Sequence, residues 1–168
     1  FSSRRRHTRY GTVTGVQTCA LPIWDVDVSD TAEVVTSSTG VTNAANIIGN
    51  SDYDPADNTT YATINNNTSN NVVVDMGAVL TSSQYDSLRV YWASNTTSSS
   101  SIKIEYSTNN SSYTNWGTFA APTNDPVTET AFQMPAGVRY VRISYASGAV
   151  ARIDAVMVEK WNCVSAQP

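Results

Sequence analysis

Along most of this chain apolar and polar residues alternate one for one, in short runs separated by Gly, Asn, Ser and Pro. Ser87-Leu88-Arg89-Val90-Tyr91-Trp92-Ala93 places Leu88, Val90 and Trp92 on one face, and Ile102-Lys103-Ile104-Glu105-Tyr106 does the same for Ile102, Ile104 and Tyr106. In Val138 to Tyr145, Val141 and Ile143 share a face opposite Arg142. A period of two is the signature of a half-buried strand. Further strands are expected at Glu33 to Thr36, Tyr61 to Ile64, Tyr113 to Phe119 and Val127 to Met134, with a strand from Asn71 closed by Gly77. Ala151 to Trp161 closes the series, with Ile153, Ala155, Met157 and Glu159 on one face and Asp154, Val156 and Val158 on the other. Turns are expected at Ser37 to Asn43, Asn65 to Asn71 and Thr108 to Ser112, and Ala44 to Ile48 can make one helical turn stopped by Gly49. No stretch carries a helical period of any length. Many short strands spaced by turn residues predict an all-β fold, an antiparallel β-sandwich.

Composition changes this picture mainly at the N-terminus. Residues 1–23, with Arg4-Arg5-Arg6 and Arg9, resemble the translated read-through of a sequencing adapter and are set aside from the fold as a non-native, irregular segment. Residues 24–168 are then expected to form a single domain, large enough for one core. The four Arg set aside leave six basic residues against fourteen acidic, a formal charge of −8. An acidic chain without a basic patch is a poor partner for nucleic acid. No apolar run approaches the ~20 residues of a membrane span. Cys163 is the one Cys outside the segment set aside, and its partner, if it has one, is open.

The stretch Asn46 to Tyr61 concentrates the chemistry. Asp52, Asp54 and Asp57 surround Pro55, with Tyr53 between them. Clustered carboxylates on a turn-rich loop need a cation or a set of N–H groups to offset their repulsion. Calcium is one solution, since it takes six to eight oxygen ligands. The other is that each Asp caps its own turn.

The series Val72-Val73-Val74-Asp75-Met76-Gly77, Leu88-Arg89-Val90-Tyr91, Ile104 to Tyr113 and Arg139-Tyr140-Val141-Arg142-Ile143 resembles the galactose-binding-like jelly roll. That group includes discoidin and coagulation factor 5/8 type C domains and several carbohydrate-binding modules. The order of these motifs spans Val34 to Trp161. A looser similarity links the Asn-rich turns and the Trp161-Asn162-Cys163 ending to modules of large bacterial surface proteins. The resemblance implies a structural Ca²⁺ in the loop after the first strand, which matches Asp52, Asp54 and Asp57, helped by Asp154 of the last strand. The family's Asp-Gly is here Ile48-Gly49, so the Asp-rich part reads as an insertion. It also implies that Tyr113 takes the place of a core Trp and that Arg139 and Arg142 brace the sheet.

A sugar site would need an aromatic platform and polar partners at the loop end of the sandwich. Tyr53 and Trp116 are the candidate platforms, with Asn50, Asn95 and Arg89 as polar partners, while Trp92 belongs to the core by alternation. Enzyme chemistry finds no footing. His7, in the segment set aside, is the sole His, and no phosphate loop or nucleophile–base pair is present. The expectation is a non-catalytic module binding a glycan or surface glycoconjugate, extracellular or on a cell surface, among other domains of a larger chain. The alternative is a passive spacer of a bacterial adhesin, with no ligand of its own.

Overall fold

The computed structural model describes residues 19–20, 25–26, 33–48, 54, 56–57, 59–82, 85–94, 98–121, 128–135, 137–160 and 162–163. In chain order the strands are β1 (Cys19–Ala20), β2 (Asp25–Val26), β3 (Glu33–Ser37), β4 (Val41–Thr42), β5 (Ala62–Ile64), β6 (Asn71–Leu80), β7 (Tyr85–Ser94), β8 (Ser100–Ser107), β9 (Thr114–Ala121), β10 (Thr128–Gln133), β11 (Val138–Gly148), β12 (Ala151–Lys160) and β13 (Asn162–Cys163). Among the described residues one 3-10 turn, Ala44–Ile47, precedes the acidic loop. The expected helical turn is thus present in its tighter form.

Two antiparallel sheets carry the fold. One runs β3-β6-β11-β8-β9; the other runs β10-β7-β12-β5-β4, with β2 also paired to β12. β1 pairs with β13, so part of the segment set aside in the sequence meets the C-terminal end of the chain, Cys19 standing opposite Cys163 in the register. Val41–Thr42, inside a stretch expected to be turn, pairs with β5 because Gly40 lets the chain double back beside buried Asn70. A Cβ at Gly40 would stand 2.1 Å from Asn70 Nδ2.

The inner faces of the two sheets form the core. Val72, Val74, Ile102, Ile104, Val141 and Ile143 from one sheet meet Leu88, Val90, Trp92, Ile153, Val156 and Val158 from the other, all fully or almost fully buried. Trp92 is core as alternation requires, and its indole N–H donates to Thr130 Oγ1 at 3.0 Å.

Two strands depart from simple alternation. In β12 the register against β7 slips between Ile153, opposite Trp92, and Ala155, opposite Tyr91, so Asp154 is the extra residue of a β-bulge. The bulge turns Val156 and Val158 inward together with Ile153, where unbroken alternation would have put Ile153, Ala155 and Met157 on one face. In β6, Gly77 does not close the strand. It adopts φ 78°, and the strand continues to Leu80, opposite Val138, after a long irregularity that follows Asp75, opposite Tyr140.

Candidate functional site

Alternation that buries one face of the five-stranded sheet exposes the other. Because β6, β11 and β8 are neighbours, their outward residues fall into rows across the sheet. Asn71, Ser144 and Lys103 form one row, extended by Thr118 of β9; Val73, Arg142 and Glu105 form the next; Asp75, Tyr140 and Ser107 form the third. The chemistry of this face comes from which charges the registers place side by side.

Glu105 is 6% exposed, yet it is fully engaged. Lys103 Nζ reaches its Oε1 at 2.6 Å, and both Nε and Nη2 of Arg142 lie 2.7 Å from Oε2. Burial alone would raise the Glu105 carboxyl; the Lys103 and Arg142 donors outweigh it and hold the group below the usual glutamate range. One row away, Arg139 forks onto Asp75, Nε to Oδ1 at 3.0 Å and Nη2 to Oδ2 at 3.0 Å. Those bonds hold Asp75 below the usual range against its burial, aided by the Gly77 N–H on Oδ1 at 2.9 Å. The expected bracing role of Arg139 and Arg142 is therefore seen as two carboxylate pairs. Arg142 also lies over the Tyr113 ring, 3.9 Å from its centroid, and Arg139 over Tyr140 at 5.2 Å. Tyr113, expected in the core, is half-buried on the outer face instead, since its place just before β9 puts it beside Arg142.

Above the first two rows lies a cavity of about 440 Å³, within the span of small-ligand sites. Its floor is Asn71, Ser144, Lys103, Glu105, Arg142 and Thr118. Thr68 and Ser69 of the Asn-rich turn wall one side, and Tyr145 and Ala146, where β11 is irregular, another. The walls are held from below. Asn67 Oδ1 accepts from the Ser69 N–H at 3.0 Å and the Ser69 hydroxyl at 2.8 Å, and buried Asn70 donates to Asn65 O at 3.1 Å. Tyr145 donates its hydroxyl to Gly148 O at 2.7 Å. Gly148 sits at φ 86°, and a Cβ there would meet Ser99 O at 2.2 Å, so only glycine fits this corner.

The residues singled out from the sequence are distributed otherwise. Asn50, Asp52, Tyr53 and Asn95 lie outside the described residues. Arg89 is half-buried in β7, its neighbours Leu88 and Val90 facing the core, so it points to the outer side of the six-stranded sheet. Trp116 belongs to the other sheet, where its ring packs 4.5 Å from Tyr106 and against the core. The structure does not bring Arg89 and Trp116 together.

In the acidic loop, Asp54 and Asp57 are exposed and bind their own turns. Asp54 Oδ1 accepts from the Ala56 N–H at 2.8 Å; Asp57 Oδ1 accepts from the Thr59 N–H at 2.9 Å and the Thr59 hydroxyl at 2.7 Å. The Thr59 bonds hold the Asp57 carboxyl below its usual range. Asp154 is wholly buried at its bulge. Among the described residues no three His, Cys, Asp or Glu side chains gather as a metal set, and Asp54 and Asp57 each cap their own turn. Sequence reasoning missed Lys103 and Glu105. Their only signal was two outward charges of opposite sign on one strand, spaced two apart.

The sandwich is that of the galactose-binding-like jelly rolls. CBM32 of AlyQ, solved with 4,5-unsaturated mannuronic acid, superposes with a TM-score of 0.51 at 16% identity, over 76% of this chain and 92% of that one. The family 32 carbohydrate-binding module of NanJ from C. perfringens, solved with galactose, gives 0.54 at 16% identity over 80% and 96%. A pectin-binding carbohydrate-binding module gives 0.53 at 14% identity over 82% and 96%. These likenesses establish the fold. No protein-family model and no curated protein matches the chain. No helix among the described residues is long and apolar enough to cross a membrane.

Proposed function

We propose that this chain is a non-catalytic carbohydrate-binding module, acting outside the cell or at its surface as one domain of a larger protein. The observation that carries the reading is the polar cavity on the five-stranded sheet. Hydroxyl, amide and charged groups converge there on a space suited to a sugar, and rigid strands hold them in register. The fold adds support, since solved proteins that share it include modules in complex with galactose and with an unsaturated mannuronic acid. A non-catalytic role is supported by the sequence, whose one His is His7, and by the cavity's carboxylate Glu105, which is held by Lys103 and Arg142. Isothermal titration of the full chain against a panel of neutral, amino and acidic oligosaccharides tests it. Saturable binding of any of them, lost when Ser144→Trp fills the cavity floor, is the expected result; no binding across the panel refutes it.

A passive spacer is the second reading. Trp116 favours it, because a ring packed on Tyr106 and the core is not offered to a sugar. The same panel separates the two.

A further inference from the structure

Resting on the reading of the cavity as a saccharide site, we infer that its ligand is an acidic saccharide, whose anionic oxygen group is received by Lys103 and Arg142. Three observations converge. First, the cavity floor carries two cations and one carboxylate, a surplus of one positive charge in a chain whose formal net charge is −4. The adjoining Asp75–Arg139 pair is neutral as a unit and leaves that surplus intact. Second, Glu105 is spent. Its oxygens accept from Lys103 Nζ and Arg142 Nε, Arg142 Nη2 lies 2.7 Å from the same Oε2 as an ion pair, and Glu105 is buried beneath them. Lys103 is 40% exposed and Arg142 32%, so the cations are the outermost charges. Among the described residues, Lys103 uses one of its three N–H donors on Glu105, and Nη1 of Arg142 has no bond. Both can turn to an incoming oxyanion without giving up the carboxylate that orients them.

Third, no aromatic face stands open in the cavity among the described residues. The Arg142 guanidinium covers one side of the Tyr113 ring, while Tyr145 packs against the core and ties its hydroxyl to Gly148 O. A neutral pyranose docks its apolar C–H face on such a platform, so affinity here has to come from charge-assisted hydrogen bonds. Ser144, Thr118 and Thr68 then offer the hydroxyl contacts that any sugar ring needs. A carboxylate and a sulfate would be received by the same two cations.

The test titrates the full chain with three oligosaccharides of matched length: oligogalacturonate, a sulfated galactan and a neutral galactan. One acidic ligand or both should bind at least about ten-fold tighter than the neutral one at 50 mM NaCl, and the gap should shrink at 500 mM as the charges are screened. Which acid binds identifies the source of the oxyanion. Lys103→Gln, which leaves the Arg142–Glu105 pair in place, should weaken acidic binding by about five-fold or more, the discounted worth of a half-exposed charged hydrogen bond. Lys103→Arg should restore it. Thr118→Glu, on an exposed strand position, should weaken acidic binding while leaving the melting temperature unchanged. If the neutral galactan binds as tightly as the acids, and Lys103→Gln and Thr118→Glu leave every affinity unchanged, the inference is overturned while the carbohydrate-binding reading stands. If none of the three binds, this inference falls, and the carbohydrate-binding reading falls with it only when the wider panel of neutral, amino and acidic oligosaccharides is silent too.

Discussion

Replacing Glu105 by Gln keeps the shape of the side chain and removes the charge that joins β8 to β11. In the native face, Lys103 Nζ and Arg142 Nε donate to this carboxylate at 2.6 and 2.7 Å, Arg142 Nη2 lies 2.7 Å away as an ion pair, and the group is 6% exposed. A hydrogen bond to a charged group contributes ~1.5–3 kcal/mol net when buried. Lys103 and Arg142 are about a third exposed or more, so water recovers much of what they lose and the sum is well below two full bonds. A loss of about 2 kcal/mol follows, equivalent to a fall of roughly 4–8 °C in Tm for a domain of this size. The amide also presents an N–H to the cations, which adds to the cost.

The pH dependence isolates the charge. The folded Glu105 carboxyl lies below its ordinary value, so its stabilisation is present above the unfolded pKa, about 4.3, and is lost as pH falls through the lower folded value. Thermal or urea denaturation of both proteins should therefore show a gap of about 2 kcal/mol at pH 7 that closes toward pH 3. Asp75 loses its own stabilisation in the same acid range, but in both proteins alike, so the difference reports Glu105. Equal stability at pH 7, or a gap that persists undiminished at pH 3, would refute the reasoning.

Other perturbations probe other parts of the fold. Gly148→Ala should cost about 1–3 kcal/mol, because φ 86° disfavours a side chain and the new Cβ would run into Ser99 O; an unchanged urea midpoint would show that the corner can relax. Deleting Asp154 would remove the extra residue of the β12 bulge and leave Ile153, Ala155, Val156, Met157 and Val158 in unbroken alternation, with Ile153, Val156 and Val158 still on the core face. The expected product keeps a cooperative melt, and loss of that melt would mean that the buried Asp154 side chain is itself required. Excess Ca²⁺ against chelator should leave Tm within about 1 °C if Asp54 and Asp57 serve only their own turns. A rise of several degrees would instead show that the native chain binds calcium, because a ligand of the native state must stabilise it.

Much of the fold was legible in local pattern. Leu88, Val90 and Trp92 face the core as their spacing requires, as do Ile102 and Ile104, because side chains of a strand alternate whatever it pairs with. The Thr108–Ser112 hairpin and the turn at Asn65–Asn71 were legible for the same reason: Asn and Ser bond their own backbone within two or three residues. Asn109 Oδ1 accepts from the Ser111 and Ser112 N–H groups, and Asn67 Oδ1 from that of Ser69. The family resemblance rested on the order of such local signals.

What the tertiary structure alone decided is everything that depends on register between strands distant in sequence. Nothing local says that Asp75 will meet Arg139, 64 residues on, or that Glu105 will meet Arg142, 37 residues on. Those pairs exist because β11 lies between β6 and β8, and that order is set by how two sheets close over one core. The Asp154 bulge is of the same kind. A period of two cannot reveal its own interruption, and here burial of Val156 and Val158 outweighed unbroken pairing. For the same reason the candidate site moved from the acidic loop, whose described carboxylates are satisfied within a few residues, to a sheet face where three strands place their charges side by side.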